Sequence, residues 1–239
     1  MTDELIVRRE GVVTYLTLNR PGRANALSAS LVDRLIDASL ASFQDGTRLL
    51  VFEGRGKHFC AGFDFTGYEE QSNGDLVLRF IRIETLLQII FHAPMETLAL
   101  AHGSSFGAGA DLVAACSHRI VAANATFRLP GLRFGLVLGT RRLCHRVGGN
   151  VAHEILATSR TFDAAEAMRI GFGTRLAEQG EWSALVELSA IDVQVLSREA
   201  TANLNGATVP DTRASDMMDL AVSASAPGLG ERIRGFREA

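Results

Sequence analysis

The chain has 239 residues, which is enough for one large domain that buries its own core without disulfides or metals to hold it together. Hydrophobic residues make up 47% of it and charged residues 21%, which is the composition of a globular protein. The formal net charge of -3 offers no basic surface, so we expect no nucleic-acid partner.

The cysteines and the start of the chain indicate where the protein works. Cys60, Cys116 and Cys144 are widely spaced and form no C-x-x-C pair, so neither a zinc site nor a disulfide framework is predicted. Residues 1–4 are acidic and lead directly into a predicted strand, so we expect no signal peptide, and no apolar run approaches the length of a membrane span. We therefore expect a cytoplasmic protein with no membrane segment and no bound metal.

The first part of the chain alternates predicted strands, loops and helices. Two β-branched runs flank Glu10 and Gly11 and predict a hairpin, whereas Pro21 and Gly22 mark the loop that follows. Apolar side chains at helical spacing then predict two amphipathic helices. In chain order, the predicted strands are 5–8, 12–18 and 49–53, the helices are 28–44 and 75–91, and the glycine-containing loops are 19–27 and 54–65.

A glycine-rich stretch, residues 101–111, lies at the centre of the chain. It connects a predicted buried strand, 97–101, to a small-residue run, 112–116, that predicts a buried helix. Its glycines expose backbone N–H groups at the helix start, where unpaired donors and partial positive charge favour an anion or a developing oxyanion. Asp111 stands within a turn of that start, so the stretch indicates chemistry on a carbonyl group.

The last part of the chain is predominantly helical. Two short strands, 120–122 and 125–128, precede Pro130, and helical patterns follow it. We expect the charged tail, 228–239, to be a frayed helix or disordered. The other predicted helices are 140–147, 151–158, 163–170, 182–196, 198–205 and 211–224. This order of elements predicts an α/β core followed by a helical C-terminal third.

One alternative function depends on Ser105. Residues 103–107 fit the pattern G-x-S-x-G between a predicted strand and a predicted helix, which is the setting of a nucleophile elbow in a serine hydrolase. Such an enzyme needs a downstream acid and then a histidine, and Asp111 is the acid available before His153. Because Asp111 would sit on the helix that the elbow itself opens, the geometry is awkward, but a serine hydrolase with Ser105 as nucleophile remains an alternative.

Two glycine-containing segments resemble each other. Residues 59–64 (FCAGFD) and 106–111 (FGAGAD) each follow a predicted strand, and each can offer one backbone N–H to a common point. Together with residues 20–27 (RPGRANAL), they resemble the enoyl-CoA hydratase/isomerase (crotonase) family over about residues 5–176. The resemblance implies a crotonase-like spiral of ββα turns in residues 1–176, with acyl-CoA binding and catalysis there. It also implies a helical module in residues 177–239 that oligomerises the chain as a homotrimer or a dimer of trimers.

The same resemblance implies the residues of an acyl-CoA site. The backbone N–H groups of Phe63 and Ala108 would form an oxyanion hole for the thioester carbonyl. Asp111 would be the general acid/base, because it matches the position of the family's first catalytic glutamate. Coenzyme A enters as part of the substrate, and no other cofactor is implied. The residues implied to contact substrate or coenzyme A are Ala24, Ala26, Ala61, Gly62, Asp64 and Gly107.

One position departs from the family pattern. The second catalytic glutamate follows a proline in a Phe-x-x-Pro-Glu motif, and here Gly131 takes its place after Pro130. Hydration of a double bond uses two carboxylates, whereas one suffices for a double-bond shift, so we expect isomerisation or an atypical hydration or lyase reaction. Arg133, Thr140 and His145 follow the vacant position and are candidates to enter the pocket. A second alternative is a non-catalytic acyl-CoA-binding member.

Overall fold

The computed structural model describes residues 3–239, so the part of the signal-peptide prediction that concerns Met1 and Thr2 lies outside the described residues. The described part contains nine strands and ten α-helices. The strands are β1 (Leu5–Glu10), β2 (Val13–Leu18), β3 (Leu49–Gly54), β4 (Glu96–Ala101), β5 (Ser104–Phe106), β6 (His118–Val121), β7 (Thr126–Arg128), β8 (Phe162–Asp163) and β9 (Arg175–Leu176). The helices are α1 (Ala29–Ser42), α2 (Asn73–Phe91), α3 (Ala108–Ala115), α4 (Thr140–Val147), α5 (Gly149–Thr158), α6 (Ala164–Arg169), α7 (Trp182–Asp192), α8 (Arg198–Thr208), α9 (Arg213–Ser225) and α10 (Leu229–Glu238).

Six strands form the main sheet, in the order β1-β2-β3-β4-β6-β9. β1 and β2 pair antiparallel around the turn at Gly11, as the hairpin pattern predicted, and the remaining neighbours pair parallel. The parallel strands are covered on both faces, which is why β2 is buried along its whole length. Because these strands point the same way, the loops after β2, β3, β4 and β6 leave the sheet at one edge.

A second, smaller sheet of three strands lies where these loops meet. β5 pairs with β7 in parallel, and β7 pairs with β8 antiparallel. Two isolated bridges extend this layer, one between Leu27 and Phe63 and one between Cys60 and Ser105. The three motifs that are separate in the sequence therefore become neighbours in space.

The helices begin at capping residues that the sequence carries. Ser28 accepts a hydrogen bond from the N–H of Leu31 at the start of α1. α3 begins at Ala108, earlier than the predicted run 112–116, because Gly107 with a φ of +50° turns the chain directly from β5 into the helix. Asp111 therefore lies inside the first turn of α3.

The helices beyond residue 177 pack on the core. α7 places Trp182 and Val186 in a hydrophobic cluster with the main sheet. α9 and α10 bury Leu220 and Ile233 in the same cluster as α1 and α2. The expectation of a frayed or disordered tail was wrong, because the apolar side of α10 is buried. Within residues 3–239, every helix falls short of the length or the apolar character that crossing a bilayer requires.

Candidate active site

Three loops are held together by backbone hydrogen bonds at the edge of the main sheet. The N–H of Ala61 donates to the carbonyl of Ala24 over 2.9 Å. The N–H of Phe106 donates to the carbonyl of Cys60 over 3.0 Å. Because these bonds join main chain to main chain, the spacing of the three loops does not depend on their side chains.

The two glycine-containing segments touch through their backbones. Gly62 has a φ of +83°, and a Cβ built on it would lie 3.1 Å from the amide nitrogen of Ala108 and overlap the carbonyl of Phe106. A Cβ on Gly109 would lie 2.8 Å from the carbonyl carbon of Cys60. Only residues without a side chain permit this approach, so the glycines let the two segments meet.

Two backbone N–H groups at this junction, those of Phe63 and Ala108, have no acceptor among residues 3–239. On one side of Phe63, the carbonyl of Gly62 accepts the N–H of Leu27, and on the other side the N–H of Asp64 donates to the carbonyl of Leu27. Ala108 is the first residue of α3, a position whose N–H has no partner within the helix. Two free donors from touching segments are what a developing oxyanion requires.

The cavity next to these donors encloses about 910 Å³, including its mouth to solvent. Its wall is largely apolar, and Asp111 is the one carboxylate among the lining residues that the structure describes. Thr140 contributes a hydroxyl-bearing side chain, and Arg128 donates from its guanidinium to the carbonyl of Ser159 over 2.9 Å. Six phenylalanines contribute to the wall: Phe63, Phe65, Phe80, Phe106, Phe134 and Phe236.

Asp111 is buried at the cavity wall, and its Oδ1 has no hydrogen-bond partner within residues 3–239. Burial raises the pKa of Asp111 to about 8, while the guanidinium of Arg142 opposes this rise and the carboxylate of Glu84 adds to it. Without bound substrate, Asp111 is therefore protonated in most protein molecules at neutral pH. The ionised form is a stronger base than an exposed aspartate, because its conjugate acid is weaker.

The residues expected to contact substrate or coenzyme A lie in different places. Ala61 and Gly107 line the cavity, and Ala26 lines a shallow groove that continues from it along the loop after β3. Ala24 lines neither; its left-handed backbone, with a φ of +47°, presents its carbonyl to Ala61. Gly62 likewise lines neither and instead allows the close approach of the two segments.

Asp64 also lines the groove, but its carboxylate is occupied by protein groups. It accepts hydrogen bonds from Arg20 over 2.7 Å and from the N–H of Thr66 over 3.0 Å. Burial raises the pKa of Asp64, but these hydrogen bonds outweigh it and bring the pKa below its usual value. Asp64 is therefore ionised and tied to the loop, so its carboxylate stabilises the groove wall.

The three candidates to replace the second acid are separated by the structure. Thr140 lines the cavity beside Gly131, but Arg133 is exposed and lies with its guanidinium 5.9 Å from the ring centre of Phe236. His145 lies in a different cavity, with its ring 5.8 Å from that of Phe91. Five residues along a helix correspond to a rotation of about 140°, so α4 presents Thr140 and His145 on different sides. The expectation that Arg133 and His145 enter the pocket does not agree with these positions.

Ser105 is fully buried in β5 and does not line the cavity. Its Oγ has no hydrogen-bond partner among residues 3–239, so no histidine of that part of the chain is placed to take its proton. A serine nucleophile needs such a base and access to substrate. The position of Ser105 therefore gives the serine hydrolase alternative no support.

Two features of the site were not predicted from the sequence. Phe236 reaches the cavity wall from α10, and the guanidinium of Arg237 lies 5.5 Å from the ring centres of Phe65 and Tyr68. Behind Asp111, the first turn of α4 closes the wall, beginning at Gly139. The glycine before a helical pattern was a visible signal for the helix start, but no local pattern connects the C-terminus to the loop near residue 65.

The same fold and sequence pattern occur in known proteins. The family model for enoyl-CoA hydratase/isomerase matches residues 8–183. A Mycobacterium leprae protein named as a probable enoyl-CoA hydratase is 34% identical over 191 residues, which are 76% of this chain and 75% of that protein. A crotonyl-CoA hydratase from Syntrophomonas wolfei is 29% identical over 234 residues, which are 95% of this chain and 89% of that protein.

Solved structures agree with these matches. A candidate enoyl-CoA hydratase/isomerase from Bordetella parapertussis is 48% identical, and the match covers 99% of both chains with a TM-score of 0.97. An enoyl-CoA hydratase/isomerase structure from Xanthobacter autotrophicus, at 22% identity, shares the fold with a TM-score of 0.87. The expected α/β crotonase-like fold with a helical C-terminal region is thus confirmed, and the chain belongs to the enoyl-CoA hydratase/isomerase family.

Proposed function

We propose that the protein shifts a double bond in an acyl-CoA thioester through an enolate, with Asp111 as the single acid/base. The observation that supports this most directly is one carboxylate in an apolar cavity beside two free backbone N–H groups. Hydration would need a second acidic side chain to act on the water molecule that adds to the double bond. Gly131, which lines the cavity at the position where the family carries that acid, has no side chain to supply it.

The proposed reaction begins with ionised Asp111, which takes a proton from the carbon next to the thioester carbonyl while the electron pair moves onto the carbonyl oxygen. The N–H groups of Phe63 and Ala108 stabilise this enolate oxygen, each contributing about 3–4 kcal/mol in the transition state. The protonated carboxyl group then returns the proton to the far carbon of the conjugated system. One carboxyl group is sufficient, because it ends the cycle in the state in which it began and no water is consumed.

The surroundings of Asp111 suit this role. Burial raises its pKa to about 8, which brings its basicity closer to that needed to remove a proton from carbon near neutral pH. The apolar wall keeps water away from the enolate, so the proton returns to carbon. We place the coenzyme A portion of the substrate along the groove at Ala26 and Ala61, and the proposed steps use no metal or redox cofactor.

The test offers a 3-enoyl-CoA and a 2-enoyl-CoA to the protein and separates the products by liquid chromatography with mass detection. We expect conversion of the 3-enoyl to the 2-enoyl thioester to be faster than hydration, and Asp111→Asn to slow it by about 10²–10⁴-fold. Ser105→Ala is the control that should retain activity. Faster hydration would support the atypical hydration instead, and thioester binding without any turnover would identify a non-catalytic member.

We also propose that the chain assembles as a homotrimer or a dimer of trimers through its C-terminal helices. The support is a group of exposed apolar side chains on α7, on α8 and between them: Leu188, Ile191, Val195, Leu196 and Leu204. Exposed apolar side chains that lie close together along the chain are candidate contacts between subunits. Light scattering after size-exclusion chromatography checks the proposal, and a monomeric mass would contradict it.

A further inference from the structure

A buried ion network lies behind the carboxyl group of Asp111. Arg142 of α4 donates from Nη1 to Oε1 of Glu84 over 2.9 Å and from Nη2 to the other carboxylate oxygen of the same residue. Its Nη1 also lies 3.5 Å from Oδ2 of Asp216 on α9. The side chains of Arg142 and Glu84 are each only 1% exposed. The network therefore joins α2, α4 and α9 in the interior.

The two carboxylates of the network have further partners, and Nη1 of Arg141 donates to Oδ1 of Asp216 over 3.1 Å. Gln88 donates to Glu84 over 2.8 Å, and the hydroxyl of Thr212 donates to Asp216 over 2.6 Å. Removing charged groups from water is expensive, and well-packed apolar residues often stabilise a fold as well as a buried ion pair does. A network that places one guanidinium between two buried carboxylates is thus weak support for stability, and its position beside Asp111 points to a different role.

The network and Asp111 meet in the first turn of α4. Gly139, immediately before that helix, contacts the carboxyl group of Asp111, and Arg142 is the third residue of the helix. Anchoring Arg142 on Glu84 therefore fixes the part of α4 that forms the wall against Asp111. A displacement of this turn would move both the wall and the positive charge that acts on Asp111.

Few other charges face Asp111 from the elements that pack on α3. Arg142 on α4 and Glu84 on α2 are the charged groups that act on it. Arg146, further along α4, donates to the carbonyl of Ala114 at the opposite end of α3. β5 contributes no charged residue, and Glu96 of β4 is paired with His118 over 3.0 Å.

We propose that Arg142, held between Glu84 and Asp216, is a positioning residue that orients the carboxyl group of Asp111 and controls its charge. Helix α9, through Asp216, thereby contributes to the reaction although it does not line the cavity. This inference rests on the proposed role of Asp111 as the acid/base. The guanidinium favours the carboxylate form of Asp111, and each carboxylate bound to Arg142 weakens that influence.

The test measures the charge of Asp111 without substrate. The carbonyl stretch of its protonated carboxyl group is followed by infrared spectroscopy over a pH titration and is assigned by its loss in Asp111→Asn. Glu84→Gln removes one negative charge but keeps an oxygen for Arg142, so the midpoint should move to lower pH by about one unit. Asp216→Asn should move it in the same direction by less.

Asp219→Asn is the matched control on α9. Asp219 pairs with the half-exposed Arg141 over 2.7 Å, and Arg141 also donates to Asp216 over 3.1 Å. Because Asp219→Asn leaves both Arg141 and Arg142 on Asp216, the midpoint should stay in place. Unchanged midpoints in folded Glu84→Gln and Asp216→Asn would overturn the inference, as would an equal shift in all three variants. If Glu84→Gln does not fold, Asp216→Asn decides by the same criterion.

The titration also separates this inference from the proposed function. If no thioester is turned over but the midpoints shift as expected, the reaction assignment fails and the control of Asp111 by the network stands. If Asp111 is required for turnover but neither variant shifts the midpoint, the inference fails alone. If both hold, the pH profile of kcat/KM should shift by the same amount as the infrared midpoint.

Discussion

Gly139 and Asp111 are in direct contact: a Cβ built on Gly139 would overlap Oδ1 and lie 2.7 Å from the carboxyl carbon of Asp111. Gly139 also has a φ of +69°, a backbone conformation that residues other than glycine rarely adopt. The glycine thus lets α4 begin in contact with the carboxyl group of Asp111 on α3. Because nothing but a hydrogen atom fits between them, the contact limits where the carboxyl group can point.

Gly139→Ala should displace the carboxyl group and lower kcat/KM by about a hundredfold, as misplacement of a catalytic group by about 1 Å does elsewhere. The control is Gly148→Ala before α5. Gly148 also has a positive φ, of +81°, but nothing lies within 4 Å of a Cβ built on it. Both variants should lose stability from backbone strain, whereas only Gly139→Ala should lose activity in steady-state kinetics. Equal losses of activity would contradict the role of the contact.

The stability of the protein should depend on the proton of Asp111. Its pKa is raised from 3.8 to about 8, so between about pH 4 and pH 8 the unfolded chain has released a proton that the folded chain still holds. The free energy of unfolding should fall as pH rises through this window, by up to about 1.4 kcal/mol per pH unit. Urea unfolding of wild type and Asp111→Asn checks this. Their difference should change across the window and level off above it, and a constant difference would contradict a raised pKa.

The rate of the proposed isomerisation should follow the ionised fraction of Asp111. If this group begins the reaction as a base, kcat/KM should rise about tenfold per pH unit at low pH and level off above about pH 8. Initial rates with a 3-enoyl-CoA across this range provide the measurement. A rate that falls with rising pH would mean that the protonated form begins the reaction.

Removal of the N–H of Ala108 should weaken stabilisation of the enolate without breaking the helix. Ala108 is the first residue of α3, where proline is tolerated because the N–H has no partner within the helix. Ala108→Pro should therefore lower kcat by about 10²–10³-fold with a melting temperature near that of wild type. Ala108→Ser, which keeps the N–H, should retain most of the activity. Similar activities of the two variants would argue against this donor.

A carboxylate at position 131 should introduce hydration. A Cβ on Gly131 would lie 3.3 Å from the carbonyl oxygen of Leu136, so a side chain fits after a small adjustment of that neighbour. Gly131→Glu should increase the rate at which water is added to a 2-enoyl-CoA, because a second acid can then manage water. Gly131→Gln, of equal size but without the charge, should not. Equal hydration rates in the two variants would show that shape alone matters at this position.

Local patterns in the sequence predicted much of this protein. Apolar runs predicted the strands of the core, because a strand buried on both faces carries apolar residues at every position. Apolar residues at helical spacing predicted the helices, because a helix buried on one face carries them along one side. The paired segments 59–64 and 106–111 predicted two backbone donors, since glycine marks places where main chain approaches main chain. Asp111 is the last residue of the second segment, and the resemblance to the family predicted its acid/base role, because its position matches that of the first catalytic glutamate.

Contacts between distant parts of the chain were decided by the tertiary structure. Nothing near Gly139 indicates that it will touch Asp111, and no spacing pairs Glu84 with Arg142 or brings Phe236 to the cavity. The sequence also offered Arg133 and His145 for the pocket, but the turn after Pro130 and the rotation along α4 direct them elsewhere. A sequence by itself determines which residues share a face of one element. Which faces then meet depends on how all the elements pack, and only that packing decided how the one acid of this site is buried and held.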